Sequence, residues 1–210
     1  MPYETSMLLA SASYQHWISQ ELFSTGWFVI LGVLFVVYAI WLKIVDKSRL
    51  TSLLLLGSLC AVGFGLSDLI LEGYFGLWEY KISIFPLKPP MFVVSYTICP
   101  ILFMTVAQYT TSWKSYLLWS SIGVAVINFG LIPVYTALGI IMDHNFNHFY
   151  GFILFMTGGI IGRAICLWII SIEQSHQASR QMVQSFPGLQ PAATKPLSDN
   201  NKNDKSDNDQ

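Results

Sequence analysis

Five long runs of apolar residues constrain the fold of this chain more than any other feature. An α-helix rises about 1.5 Å per residue, so a helix of about 20 apolar residues crosses the ~30 Å hydrocarbon core of a bilayer. The runs of sufficient length are Trp27–Leu42 (extended by Lys43 and Ile44), Leu50–Glu72, Met91–Tyr109, Tyr116–Ile141 and Phe149–Ile172. They predict an all-α integral membrane bundle of five transmembrane helices.

The low charge content supports a membrane protein over a soluble one. Only 11% of the 210 residues are charged and 53% are hydrophobic, whereas soluble domains carry about 25% charged residues. The sequence also lacks a Gly-rich phosphate loop, a serine-elbow motif, a CxxC pair and a basic nucleic-acid patch. We therefore expect no cofactor, no nucleic-acid partner and no recognisable catalytic residue, and the lipid bilayer is the first expected partner.

Lys and Arg are concentrated in the loops on one side of the predicted bundle. An excess of these residues in short loops marks the cytoplasmic side. One side carries Lys43, Lys47, Arg49, Lys114, Arg180, Lys195, Lys202 and Lys205. The other side carries Lys81 and Lys88. This distribution predicts that the N-terminus is outside the cell and the C-terminus is in the cytoplasm.

The segments that flank the bundle differ in composition. Residues 1–26 form an N-terminal extracellular segment, in which 7–23 has the spacing of an amphipathic helix lying on the outer interface. Residues 27–173 form the transmembrane domain, and Pro133 is expected to kink its long fourth helix. Residues 174–210 form a polar cytoplasmic tail that is expected to be largely disordered.

Two of the apolar runs contain charged residues on faces that also carry small residues. Gly57, Ala61 and Gly65 recur every four residues, and the same face continues to Asp68 and Glu72. Small residues mark contacts between membrane helices, so these carboxylates should face protein. Gly159 and Gly162 place Arg163 inward by the same reasoning. A charge at this depth costs at least ~2.5–3.5 kcal/mol and indicates a functional or structural role.

The expected depths of these residues limit which of them can pair. Asp68 lies roughly 6 Å from the outer end of its helix and Arg163 roughly 21 Å from the outer end of its own. A gap of about 15 Å is too wide for a direct ion pair. Asn128 lies within about 6 Å of the level of Arg163, which makes it the preferred partner. Snorkelling of Arg163 toward the cytoplasmic headgroups, or a ligand or ion role, remain alternatives.

The outer loops contain further polar residues. His and carboxylate side chains can bind zinc, and His144, His148, Asp143, Glu79 and His16 lie on this side. No HExxH pattern is present, so we predict no metal site. Cys60, Cys99 and Cys166 lie in apolar runs without zinc-like spacing and are expected to pack as small hydrophobic residues. The candidate ligand-binding or structural cluster is Asp68, Glu72, Glu79, Asn128 and Arg163.

Several segments resemble a known family. The stretch from Asp68 to Tyr80 with its Leu-Trp-Glu-Tyr element, the Pro86–Pro90 cluster, Pro100, and the stretch from Gln108 to Tyr116 are similar to an uncharacterised family of small multi-pass membrane proteins from endospore-forming Firmicutes. The resemblance covers roughly 27–173, and the hydrophilic C-terminal tail departs from it. It implies a bacterial cytoplasmic-membrane location and a five-helix core, and it implies no activity.

Three functions are compatible with this pattern. The favoured one is a non-enzymatic membrane module that binds a partner protein or a lipid. The alternatives are a small transporter or permease subunit, and a membrane enzyme that acts on a lipid or isoprenoid substrate through Glu72 and Glu79. A continuous polar cavity past Asn128 would favour transport. A lateral cleft beside Glu72 and Glu79 would favour the enzyme, and a filled bundle would favour the module.

Overall fold

The computed structural model describes residues 2–86, 93–144 and 146–185, and it is 81% helical. Its helices are α1 Pro2–His16, α2 Thr25–Ile44, α3 Leu50–Gly73, α4 Cys99–Tyr109, α5 Trp113–Val126, α6 Ile132–Ala137 and α7 His148–Ser185. Its strands are β1 Trp78–Tyr80 and β2 Ile141–Asp143. The chain divides into two units, Met1–Trp168 and Ile169–Gln210. All the sites described below lie in the first unit.

The described residues contain four helices that are long and apolar enough to cross a membrane. They are Thr25–Ile44, Lys47–Gly73, Trp113–Ala137 and His148–Gln177. The third predicted helix is shorter, because its helical part within the described residues is Val94–Tyr109. Met91 and Phe92, with which that prediction began, lie outside the described residues.

The helix of the fourth run ends earlier than the apolar pattern predicts. The prediction that it continues to Ile141 is wrong, because the helix stops at Ala137 and Gly139 adopts a φ of +68°. The amide of Gly139 donates to the carbonyl of Thr136, and that of Ile140 donates to Tyr135. This pair of bonds is the Schellman motif, which a glycine in the left-handed conformation favours. Ile141 then begins β2.

Three π-helical turns interrupt or extend the helices: Trp17–Glu21 after α1, Val94–Ile98 before α4, and Ile127–Leu131 between α5 and α6. Pro100 follows the second of these turns and Pro133 the third. Proline has no amide N–H for the carbonyl of the preceding turn, and this loss favours a local widening of the helix. The irregularity expected at Pro133 therefore takes the form of a π turn that immediately precedes α6 and ends two residues before this proline.

A short antiparallel sheet closes one end of the bundle. Trp78 pairs with Asp143 and Tyr80 with Ile141. Trp78 and Tyr80 are buried, whereas Glu79 between them is exposed. The sheet corrects the strictly all-α prediction. It links the segment after α3 to the segment after α6, which are about 60 residues apart in sequence, so the pattern of apolar runs carries no signal for it.

The predicted small-residue faces do contact neighbouring helices. Gly57 of α3 lies against Met104 of α4, and Gly159 of α7 lies against Phe103. The ring of Phe64 packs against those of Phe103 and Phe155, with centroids 5.7 and 5.1 Å apart. These contacts form the core that joins α3, α4 and α7.

The flanking segments differ in part from the expectation. Helix α1 and its π turn cover most of the predicted 7–23 helix, and the described side chains of α1 are exposed. Helix α7 continues to Ser185, so the first part of the predicted 174–210 tail is helical. The expected disorder from Pro187 onward falls outside the described residues.

Candidate functional site

The five candidate residues occupy three separate places. Asp68 and Glu72 lie near the C-terminal end of α3, and Glu79 lies on β1 at the same end of the bundle. Asn128 lies in the π turn between α5 and α6. Arg163 lies in α7, where its guanidinium reaches the connection between α4 and α5. The structure therefore divides the predicted cluster into sites of opposite charge.

The first site surrounds Asp68. We define the Asp68 site as Asp68, Ser95, Tyr80 and Cys99. The Asp68 side chain is 1% exposed, and the fully buried hydroxyl of Ser95 faces its carboxylate. Tyr80 and Cys99 lie close enough to interact electrostatically with this carboxylate. Its Oδ2 atom accepts no hydrogen bond from the residues that the structure describes.

The backbone around Ser95 explains why this residue faces Asp68. The π turn places the amide of Ile98 on the carbonyl of Val93, at 3.1 Å, and the amide of Cys99 on the carbonyl of Val94. By the same spacing residue 100 would donate to the carbonyl of Ser95, but Pro100 has no amide N–H. Ser95 thus contributes a buried hydroxyl and a carbonyl without its π-helical donor. Ser95 was not among the predicted site residues, and the proline five residues later is the one sequence feature that indicates an irregular helix here.

Tyr80 brings the sheet into contact with this site. Burial raises the pKa of the Tyr80 hydroxyl well above its usual value, and the nearby carboxylates of Asp68 and Glu72 raise it further. The phenol therefore stays neutral over the physiological range. Glu72 lies one helical turn beyond Asp68 and is half-buried. The end of α3 therefore places two carboxylates beneath the sheet.

The second site surrounds Arg163. We define the Arg163 site as Arg163, Thr110, Trp113 and Tyr116. Nη1 of Arg163 donates to Oγ1 of Thr110 at 3.1 Å, and Nη2 donates to its carbonyl at 3.4 Å. The guanidinium carbon lies 4.1 Å from the ring centroid of Tyr116 and 5.2 Å from that of Trp113. Arg163 is 6% exposed. No carboxylate in the described part of the chain forms an ion pair with it.

The expected hydrogen bond between Asn128 and Arg163 is wrong. Nδ2 of Asn128 donates to the carbonyl of Val124 at 3.2 Å, and its Oδ1 lies against Gly151. Arg163 instead donates to Thr110, at the C-terminal cap of α4. The number of residues from each helix end places Asn128 and Arg163 at a similar level of the bundle. That number does not indicate which side of α7 faces α4.

The three histidines predicted for the outer side each lie near one carboxylate. His144 and Glu79 are 3.9 Å apart, His148 and Asp143 3.8 Å, and His16 and Glu21 3.7 Å. Among the described residues, no three His, Cys, Asp or Glu side chains are grouped to hold a metal ion. Each histidine thus faces a single carboxylate on a neighbouring segment or within its own.

Glu21 is a buried carboxylate that the sequence analysis missed. One of its oxygens accepts hydrogen bonds from the amide of Ser83 at 2.8 Å and from its hydroxyl at 2.9 Å. Nε1 of Trp17 donates to the carbonyl of Ser83 at 2.9 Å. These bonds attach the end of α1 to the segment after β1. A polar cavity of about 400 Å³ beside them is lined by His16, Gln20, Glu21, Glu79, Lys81 and Ile82.

Gln108 fastens the opposite end of the bundle. Its Oε1 accepts from the amide of Asp46 at 2.9 Å, and its Nε2 donates to the carbonyl of Ile44 at 2.8 Å. Nη1 of Arg49 donates to the carbonyl of Gln108 at 3.4 Å. The turn between α2 and α3 is therefore tied to the end of α4, next to Thr110.

A lateral groove runs between α3 and α7. We call it the α3–α7 groove, and its volume is about 480 Å³. Its walls are Ser58, Leu59, Val62, Gly63, Phe64, Ser67, Leu154, Thr157, Gly158, Ile161, Gly162 and Ile165. None of these residues is charged. A Cβ atom added to Gly63 would meet nothing within 4 Å, so this glycine faces open space.

Comparison with known proteins gives no assignment. No protein-family model matches the chain, and neither the curated proteins nor the solved structures include a significant match.

Proposed function

We propose that the chain is a multi-pass protein of a bacterial cytoplasmic membrane and serves as a non-enzymatic module that binds a lipid acyl chain in the α3–α7 groove. The proposed topology has five crossings, with the N-terminus outside and the C-terminus in the cytoplasm. The lengths of the four long apolar helices, the apolar helix Val94–Tyr109 and the uneven distribution of Lys and Arg support it. The resemblance to the Firmicutes family supports the location.

The α3–α7 groove is the observation that carries this proposal. Its walls are mainly apolar, and its volume of about 480 Å³ is in the range of small-ligand sites. From Ser58 to Ser67 the α3 wall extends about 13 Å at the rise of an α-helix. A groove of this length with mainly apolar walls suits a flexible hydrocarbon chain.

The polar residues give weaker support to the alternative functions. The Nδ2 of Asn128 is bonded within its own helix, and this buried residue lines neither of the two cavities described above, so it gives no support to a transport path. Glu79 is exposed and faces His144, and Glu72 lies outside the walls of the groove. The lipid-facing opening thus contains no carboxylate that could act as a general acid.

Filling the groove tests the proposal. Gly63→Leu places a side chain in the open space of the groove, and we expect the purified protein to lose most of its tightly bound lipid, measured by mass spectrometry in mild detergent. Gly32→Leu is the matched control, because a Cβ at Gly32 of α2 also meets nothing within 4 Å and this residue lies outside the groove. Equal lipid content in both variants would reject the lipid site. A change of oligomeric state in Gly63→Leu alone would identify a second copy as the occupant.

The topology has its own test. Cys60, Cys99 and Cys166 are buried and free, so they give little background in labelling. An impermeant maleimide should label Tyr74→Cys in intact cells and should label Ser48→Cys only after permeabilisation, since both positions are exposed at opposite ends of α3. The reverse pattern would overturn the orientation.

A further inference from the structure

Asp68 is a buried carboxyl group that forms no ion pair with the described residues. The ion pairs among the described residues join His16 to Glu21, His144 to Glu79 and His148 to Asp143, and none of them includes Asp68. The Oδ2 atom accepts no hydrogen bond from this part of the chain. A buried carboxylate without a partner is costly, so this group carries either a proton or a bound cation.

The groups around Asp68 are oxygen atoms. The Ser95 hydroxyl faces the carboxylate and is itself fully buried. Residue 100 is proline, so the carbonyl of Ser95 receives no hydrogen bond from the amide that the π-helical spacing would supply. Helical carbonyls point toward the C-terminal end of their helix. For Ser95 this is the direction of Cys99, which lies close to Asp68. In transporters, backbone carbonyls at interruptions of membrane helices coordinate monovalent cations.

We propose that the Asp68 site binds one dehydrated monovalent cation of sodium size. The Asp68 carboxylate, the Ser95 hydroxyl and the Ser95 carbonyl provide its oxygen ligands. Ca²⁺ needs six to eight oxygen ligands, and Mg²⁺ keeps several of its waters. A closed site with one carboxylate and two neutral oxygens therefore fits a single positive charge.

Glu72 gives the site an approach from the end of α3. It lies one turn beyond Asp68, and the two carboxylates repel each other. Their combined negative potential attracts cations toward this end of the helix. The site shares no residue with the α3–α7 groove, in which the neighbouring Ser67 donates its hydroxyl to the carbonyl of Gly63. A negative result for the lipid site would therefore not contradict the cation site, and the reverse also holds.

Sodium binding can be measured on the full chain in detergent. Replacing choline chloride by sodium chloride at constant ionic strength and pH should raise the melting temperature of the wild-type protein by about 3–5 °C, because a ligand at ten times its Kd stabilises by that order for a chain of this size. Asp68→Asn keeps the shape of the side chain and should abolish the rise. Equilibrium binding of radiolabelled sodium should give about one ion per chain in the wild type and none in this variant.

Two serine variants separate coordination from general stability. Ser95→Ala removes one proposed ligand and should weaken sodium binding about tenfold or more. Ser120→Ala is the matched control, because Ser120 is an equally buried serine of α5, outside the Asp68 site, and should leave binding unchanged. The absence of a sodium-dependent rise in the wild type would overturn the proposal, and a proton would then be the ligand of Asp68. A rise that persists in Asp68→Asn would also overturn it.

Discussion

Asp68 and Arg163 are both buried ionisable residues on long apolar helices, and they differ in how many groups of the protein bind their side chains. Neither forms an ion pair with a described residue. Arg163 donates two hydrogen bonds to Thr110, rests against two aromatic rings and lies at the C-terminal cap of α4, where the helix dipole is negative. One hydroxyl faces Asp68, whose Oδ2 atom accepts no hydrogen bond from the described residues; of the Arg163 guanidinium, Nε likewise has no partner there.

This difference underlies the two roles that we propose, a structural link at Arg163 and a cation site at Asp68. The partners of Arg163 are neutral groups of the protein itself, and they link α7 to the α4–α5 connection. At Asp68 the Oδ2 atom has no donor among the described residues, and this is where we propose that a cation binds. Burial of a charge therefore does not by itself identify a ligand site, and the number of groups that already compensate the charge is more informative.

The largest expected decrease in stability follows from removing the Arg163 side chain. Arg163→Ala removes two hydrogen bonds of a charged group and two cation–π contacts and leaves a cavity. We expect the free energy of unfolding to fall by about 2–4 kcal/mol. That loss corresponds to a decrease of roughly 5 °C or more in melting temperature.

Asp68→Asn is the control for this variant. It changes the charge of a residue that is buried to a similar degree. In sodium-free buffer it should change the free energy of unfolding by less than about 1 kcal/mol, because no donor to Oδ2 is lost. A larger loss for Asp68→Asn than for Arg163→Ala would reverse the roles assigned to the two sites.

Two glycines sharpen the comparison through packing. A Cβ at Gly159 would overlap the fully buried ring of Phe103, while a Cβ at Gly65 would overlap the outer end of Tyr96, which is half-buried. Gly159→Ala should cost about 1–3 kcal/mol, because overpacking a closed core forces it to shift. Gly65→Ala should cost less, since the ring of Tyr96 is not enclosed on all sides. Melting temperatures that fall equally would show that both ends of the bundle are equally rigid.

Much of the fold was predictable from the sequence, because a long apolar run has few alternatives to a long helix. Helices α2, α3 and α7 begin within two residues of the predicted starts. Inward placement of Asp68 and Arg163 also followed from adjacent small residues. These features are local, since each depends on residues within one or two helical turns.

The missing parts depend on contacts between distant segments. Pairing of β1 with β2, the bond from Gln108 to the α2–α3 turn, and the choice of Thr110 over Asn128 as the partner of Arg163 all join residues more than 30 positions apart. The end of α6 at Gly139 is different, because a glycine at this position is a known stop signal and was available in the sequence. The length of the apolar run outweighed it in the prediction.

A tyrosine pair provides a smaller test of the same contrast. The hydroxyl of Tyr116 donates to the carbonyl of Gly159 at 2.9 Å, whereas the buried hydroxyl of Tyr135, near Tyr80, has no hydrogen-bond partner among the described residues. Tyr116→Phe should lower the free energy of unfolding by about 1 kcal/mol, and Tyr135→Phe should leave it unchanged or raise it slightly. Thermal melts of the two variants check this. An equal loss in both would mean that Tyr135 holds an ordered water or ligand.

The smallest expected effect is a local response to acid at the end of the bundle that contains Arg163. Asp46 accepts from the hydroxyl of Ser48 at 2.7 Å and from its amide at 3.0 Å, and these bonds, together with the charge of Arg49, hold the pKa of Asp46 below its usual value. A lowered pKa means that the bonds stabilise the turn above the unfolded pKa of about 3.9 and are lost as the pH falls through the folded pKa. The protection of the Ser48 amide against hydrogen exchange should therefore decrease as the pH decreases from 5 to 3, and Asp46→Asn should remove that pH dependence.

The change should remain within the turn and leave Arg163 in place. The reason is that the Gln108 side chain binds the amide of Asp46 and the Gln108 carbonyl binds Arg49. Simultaneous loss of protection at Thr110 would instead show that the turn and the Arg163 site open together, and this end of the bundle would then be as responsive to protons as the Asp68 site is proposed to be to sodium.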